Sequence, residues 1–280
     1  MLFEVLAFIT AVTSALGTVL AAKGMKGASP LGAAFYSVLT QAVILTLLLL
    51  TRSFNRDLLA VAYFVLAGVL ALGLGRLLNF IAMRNMGAAK TSAVIGSSPV
   101  LATLLSILFL AEPLVASTLA GACTVTVGIV LISGATGFKM ERALIISLLS
   151  TFSYSLSNIF SKAGLRVQPD PFLSAQINAA AGLLFFIAYL AITRQRTAFK
   201  VGKNGLICFT ATGVLSSIGW LTLMKALELG VVSIVTTIVY SYPLLTLVLG
   251  RVFLREERLD KRTVIGSALI VAGVAIVTLL

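Results

Sequence analysis

The sequence predicts an all-α membrane protein, with ten transmembrane helices arranged as two inverted five-helix repeats. Three observations predict it. Of 280 residues, 59% are hydrophobic and only 11% charged, with a mean hydropathy of +1.10. A soluble domain is about 45–50% apolar and about 25% charged, so this chain has too little polar surface to cover a water-soluble globule. Long uncharged runs recur along its whole length, each close to the roughly 20 residues that a helix needs to cross a bilayer. The run-and-break pattern of the first half then returns in the second.

The breaks define the spans in order. The first, 4–22, ends at Lys23; no basic region precedes it and no small-residue cleavage site follows, so it reads as a membrane helix rather than a removable signal. Span 31–51 opens after a Gly- and Pro-containing turn at 23–30 and stops at Arg52. Span 58–83 lies between Asp57 and Arg84, and span 89–110 between Gly87 and the Glu112-Pro113 pair. Span 114–134 stops at the Gly134 to Gly137 turn, and span 143–161 is bracketed by Arg142 and Lys162. Pro169-Asp170-Pro171 opens span 171–193. Spans 205–227, 231–253 and 263–280 are separated by Glu228-Leu229-Gly230 and by the charged run from Arg255 to Arg262. The connections are short, which places nearly all the mass in or beside the lipid bilayer and excludes a soluble catalytic domain.

The repeat is visible in spacing. Met86-Gly87 leads to Pro99, Glu112, Gly121 and Gly128; Leu229-Gly230 leads to Pro243, Glu256, Gly266 and Gly273. Upstream, Lys23 and Lys162 are each followed seven residues later by a proline, Pro30 and Pro169. Each half, 1–137 and 138–280, therefore holds five spans. An odd number per repeat makes the second copy enter the membrane from the opposite side. Such inverted repeats are a common build of secondary transporters, with the solute site near the midplane between the halves.

These motifs resemble the EamA-type domain of the drug/metabolite transporter superfamily, in two copies covering almost the whole chain. The first copy is carried by Gly87-Ala-Ala-Lys-Thr-Ser-Ala, Ser97-Ser-Pro99, Leu110-Ala-Glu112-Pro113, Gly121 and Gly128. The second is carried by Gly230-Val-Val-Ser, Ser241-Tyr-Pro243, Leu254-Arg-Glu256, Gly266 and Gly273. The resemblance implies a central cavity lined by the first four helices of each half, peripheral fifth and tenth helices, and transport of small metabolites. Many members carry a basic residue early in the second helix; residues 35–41 hold none here.

Charge placement gives two opposed orientations. Odd-numbered loops hold fifteen basic residues and even-numbered ones five, which by the positive-inside rule puts odd loops in the cytoplasm and the termini outside. The resemblance to bacterial relatives implies the reverse. The net charge of +12 fits contact with a membrane surface. A nucleic-acid partner is excluded by the lack of a soluble basic face with interleaved aromatics.

The candidate site starts from Arg76, which follows the uncharged residues 58–75. It lies eight residues before Arg84, hence roughly 12 Å deeper along a helix axis. An arginine at the bilayer centre costs about 2.5–3.5 kcal/mol on insertion scales, so such residues face a cavity or a partner. Asn79 shares its face, with a strip of small residues (Gly68, Gly75 and Ala82) beside it. The expected role of Arg76 is to hold a carboxylate or phosphate of the solute through its planar fork; the alternative is snorkelling to the headgroups. Further expected substrate-binding residues are Tyr36, Asn158, Gln176, Trp220 and Tyr240, each polar or aromatic within a span. Pro99 and Pro243 fall mid-span and free the carbonyls of Ile95 and Val239; with Ser98 and Ser241 they form a paired hinge or a polar cavity wall.

No carboxylate lies deep in a span and the chain has no histidine, so coupling through a deep proton-binding acid is not expected. The same inventory holds no metal cluster, no cofactor motif and no enzyme-like constellation. Cys123 and Cys208 read as buried small hydrophobes. The sequence thus leads to a multi-pass protein of the cell's inner (plasma) membrane, monomeric or weakly dimeric, without cofactor. It moves a small-molecule substrate, an amino-acid-like or organic anion, by alternating access as an exporter or exchanger. The alternative is a flippase for a lipid-linked substrate.

Overall fold

The computed structural model describes residues 2–50, 57–110, 116–133, 142–194, 199–253 and 261–279. Glu112 and Glu256, the acidic ends of the two repeat motifs, lie outside the described residues. The described residues are helical and contain no strand. Eight segments are long and apolar enough to cross a membrane: α1 (Leu2–Gly24), α2 (Pro30–Leu49), α3 (Leu58–Met86), α4 (Ala88–Leu110), α6 (Arg142–Val167), α7 (Pro171–Thr193), α8 (Lys203–Leu229) and α9 (Val232–Phe253). Two more helices, α5 (Ala116–Ser133) and α10 (Lys261–Leu279), pack against each other.

Local chemistry sets the starts. Ser29 Oγ accepts the Gly32 amide (2.9 Å) with Pro30 at the first helical position of α2. Asp57 Oδ1 accepts the amides of Leu59 and Ala60 ahead of α3. Asp170 caps α7 through the Phe172 and Leu173 amides, with Pro171 first in the helix. The counterpart of Pro30 is therefore Pro171, not Pro169: α6 runs on to Val167, well past Lys162, whereas α1 ends at Gly24, next to Lys23, and the proline that starts the helix is the one behind a capping side chain.

The exterior and interior invert the pattern of a soluble globule. Leu47, Leu108, Phe109, Leu184, Val248 and Val252 are exposed, whereas Ser37, Ser106, Ser150, Thr151, Asn158 and Asn178 are buried. A surface this apolar suits hydrocarbon, and the interior is built from small and hydroxyl-bearing residues that let helices approach closely.

The packing is two-fold. α1 packs on α8 as α6 packs on α3; α1 on α9 as α6 on α4; α2 on α8 as α7 on α3. A Cβ on Gly24 would meet the Phe209 ring, and one on Gly164 the Phe64 ring, the same contact made twice. The four glycines spaced seven apart in sequence meet pairwise: a Cβ on Gly128 would strike the Gly266 carbonyl and one on Gly273 the Gly121 carbonyl, so α5 and α10 cross antiparallel.

α3 and α8 differ in one respect. α3 has 29 residues and α8 has 27. The excess sits in a π-helical stretch, Val69–Gly75, that ends where Arg76 begins; a wide turn of this kind absorbs inserted residues without breaking the helix. Serines of α6 hold it: Ser157 Oγ donates to the Ala67 carbonyl and Ser150 Oγ to that of Gly75, both at 2.8 Å.

A Cβ on Gly68 would collide with the Asn178 backbone, which no rotamer change relieves. Gly68→Ala is expected to destabilise the bundle by about 1–3 kcal/mol, read as a lower unfolding midpoint of the detergent-solubilised protein.

Candidate functional site

α4 and α9 are broken rather than merely kinked. α4 runs as Ala88–Ile95 and Ser98–Leu110, α9 as Val232–Val239 and Tyr242–Phe253, so Pro99 and Pro243 each sit second in a new half-helix. Each break is closed the same way. Ser97 Oγ donates to the Val94 carbonyl and Ser241 Oγ to the Ile238 carbonyl, both at 2.7 Å. The serines thus bond locally, one residue before the carbonyls the prolines were expected to free. The two breaks touch: a Cβ on Gly96 would meet Pro243 Cγ at 2.7 Å.

Beside them lies a cavity of about 110 Å³. One wall comes from α3, α4 and α6, with Arg76, Asn79, Met83, Ile95 and Tyr154; the other comes from α1, α8 and α9, with Thr10, Ser14, Thr18, Ser216, Trp220 and Tyr240 among its residues. Arg76 is 8% exposed, and its Nη1 has no hydrogen-bond partner. The Tyr154 hydroxyl engages both Arg76 and Asn79. Among the described residues no carboxylate faces the guanidinium.

The structure brings Arg76, Asn79, Trp220 and Tyr240 together at the cavity. Asn158 stands behind it: its Nδ2 donates to the Tyr240 hydroxyl (3.4 Å), which also engages Ser98, itself 2.7 Å from Ser155 Oγ. The Asn178 amide, oriented so that both ends are satisfied, accepts from Trp220 Nε1 (3.2 Å) and donates to the Phe64 carbonyl. Tyr36 and Gln176 do not line the cavity. Tyr36 packs edge-on against Phe35, and Gln176 Nε2 reaches Thr46 Oγ1 at 3.5 Å. α2 and α7 therefore contribute no liner, whereas the resemblance implied four lining helices per half.

Thr10, Ser14 and Thr18 were not among the expected residues, nor were Thr212 and Ser216. Their spacing of four on α1 and on α8 is a helix-face signal, masked by hydroxyls that also bond their own helix, as Thr18 does to Ser14 and Thr212 to Cys208.

An all-helical bundle with an apolar exterior and a charged, hydroxyl-rich interior cavity is the build of a membrane carrier. The EamA-like transporter family model matches residues 1–134 and again 141–279. The chain belongs to that family of membrane transporters, as a two-repeat, multi-pass membrane protein. Among solved structures, one described only as a crystal structure of a protein is 21% identical, covers 99% of this chain and 96% of its own, and superposes with a TM-score of 0.74. That likeness concerns the fold alone. No curated protein matches the chain.

Trp220 is the sole tryptophan and lines the cavity. A small organic anion that enters is expected to change its fluorescence saturably, and Arg76→Gln to remove the change at the same concentrations, with the folded state checked by circular dichroism.

Proposed function

We propose that this chain is a secondary transporter of a small organic or amino-acid-like anion in the plasma membrane, working as an exporter or exchanger by alternating access between two inverted five-helix halves. The observation that carries it is the Arg76 guanidinium, buried at a cavity with Nη1 unpaired and no carboxylate opposite. A fixed charge left without a counter-ion in a low-dielectric interior selects an anionic occupant. Arg76 holds the acidic group, with Tyr154 positioning the guanidinium. Asn79, Trp220 and Tyr240 contact the remainder of the solute, and Asn158 fixes Tyr240. An apolar void of about 150 Å³ admits a benzene-sized molecule, so a cavity of about 110 Å³ suits a compact metabolite.

The antiparallel, two-fold contacts between α5 and α10, α1 and α8, and α3 and α6 support ten crossings in inverted halves. The described acidic residues, Glu4, Asp57, Asp170 and Glu228, all lie at helix ends, which supports exchange or gradient-driven movement over coupling through a deep acid. No feature of the described residues favours a lipid-linked substrate.

The test is uptake and counterflow in proteoliposomes with a panel of amino acids, small carboxylates and sugar phosphates. Arg76→Gln is expected to raise the half-saturating concentration of the transported anion by about tenfold to a hundredfold, the loss of hydrogen bonds to a charged group. Transport at unchanged affinity in a folded Arg76→Gln protein would refute the assignment of that side chain.

A further inference from the structure

Lys162, near the C-terminal end of α6, closes one end of the bundle. Its Nζ donates to the carbonyls of Leu227 (2.6 Å), Gly230 (2.9 Å) and Glu228 (3.5 Å), the last turn of α8 and the corner into α9. A cation here satisfies carbonyls that have no partner within the helix and meets the negative end of the helix dipole. The corner is tightly packed: Ala226, Leu227 and Gly230 are buried, and a Cβ on Gly230 would meet the Phe3 ring of α1 at 2.9 Å.

The two-fold packing gives this latch a counterpart. Lys23 on α1 corresponds to Lys162 on α6, and Met86-Gly87 to Leu229-Gly230, so the carbonyls equivalent to those that Lys162 caps belong to Arg84, Asn85 and Gly87. That corner is held without a lysine: the Gly87 carbonyl accepts the Thr91 amide (3.2 Å) and the Thr91 hydroxyl (2.8 Å). Lys23, Arg84 and Asn85 are exposed, Gly87 is only half-buried, and among the described residues Lys23 Nζ has no hydrogen-bond or ion-pair partner. The cavity leans the same way. Its liners run from Thr10 to Ala21 on α1 and from Arg76 to Met83 on α3, toward the end with the free lysine.

We propose that Lys162 and Lys23 are alternating latches: Lys162 seals the α8–α9 corner in the conformer seen here, and in the opposite conformer it lets go while Lys23 caps the α3–α4 corner. The inference rests on the alternating-access reading above. Each lysine stabilises one conformer only, so removing either shifts the equilibrium, and the two removals shift it in opposite directions. Two like latches on equivalent carbonyls keep both conformers within reach of one another.

Two reporter cysteines read the ends separately, in a Cys123→Ser, Cys208→Ser background: Ala226→Cys at the sealed end and Thr18→Cys in the cavity on the open side. Labelling by a small water-soluble maleimide is followed in purified protein. Lys162→Met is expected to speed labelling at Ala226→Cys about tenfold and slow it at Thr18→Cys, as the loss of charge-assisted hydrogen bonds would. Lys23→Met is expected to do the opposite, and the double variant to fall between. Faster labelling at both positions in Lys162→Met would mean loosened packing and overturn the latch. So would unchanged rates, or the same direction of shift from both lysines. Gly230→Val, whose side chain would wedge against Phe3 and Val235, separates this from the underlying reading. If it opens one end and protects the other while Lys162→Met does not, the latch fails and alternating access stands. If Gly230→Val opens its own end without protecting Thr18→Cys, alternating access fails and the latch with it.

Discussion

Taking an unpaired arginine out of water is unfavourable by several kcal/mol even after a protein relaxes around it, and the interior of this bundle is arranged around that constraint at Arg76. A carboxylate partner would remove the problem, yet none faces it among the described residues. What surrounds the guanidinium is polar without being charged: the Tyr154 hydroxyl, the Asn79 amide and a cavity large enough for solvent or solute. An acidic partner would have stabilised the resting fold and filled the place of an anion. On the proposed reading its absence moves stability into binding, because an anionic occupant would supply the missing charge.

Holding that side chain in place requires backbone that departs from a plain helix, and every such departure inside hydrocarbon frees polar groups that water cannot reach. The hydroxyls of α6 answer this along its length: Ser157 and Ser150 on the carbonyls flanking the π stretch of α3, Ser155 on the Ser98 carbonyl beside the break in α4. On the other wall Thr10 and Thr212 do the same between α1 and α8, reaching the Gly219 and Gly17 carbonyls. The serine- and threonine-rich faces of α1 and α6 are therefore structural donors first. They allow broken and widened helices to sit at membrane depth, which a leucine-lined interior would not.

Much of this was legible in the sequence wherever a residue type has one common reason to be present. Prolines at matched places pointed to a paired hinge or cavity wall, and a lone arginine in an apolar run pointed to a cavity; the glycines seven apart marked the repeat, but not the α5–α10 crossing at which they meet. Legibility failed where the cause lies between helices. The π stretch leaves no residue signature; it shows only as two extra residues in α3 once α8 is set beside it. Tyr36 and Gln176 were expected at the cavity because they are polar within a span, but spans apolar all round give no face, and the side chains turned out to meet Phe35 and Thr46. The stripe of Thr10, Ser14 and Thr18 passed unnoticed because hydroxyls satisfy themselves locally in most helices. Pro169 matched Pro30 by count while Pro171 matched it by capping, a reminder that loop length can drift when the helix start does not.

The exchange of partners between the repeats explains why the cavity lies where it does. α1, α8 and α9 form one wall and α3, α4 and α6 the other, so each wall is a composite of both halves and the two are near copies in backbone. They are not copies in side chain. Counting back from the matched Gly87 and Gly230, the position of Arg76 on one wall is that of Gly219 on the other, where the carbonyl accepts Thr10 instead. A second arginine there would set two like charges across a narrow, low-dielectric gap and push the walls apart. A glycine lets α1 approach closely, with Thr13 Oγ1 only 2.5 Å from where a Cβ would stand. The scaffold is thus nearly symmetric in backbone while the buried charge is carried once, which on the proposed reading keeps the group that holds the solute on one wall whichever end is open.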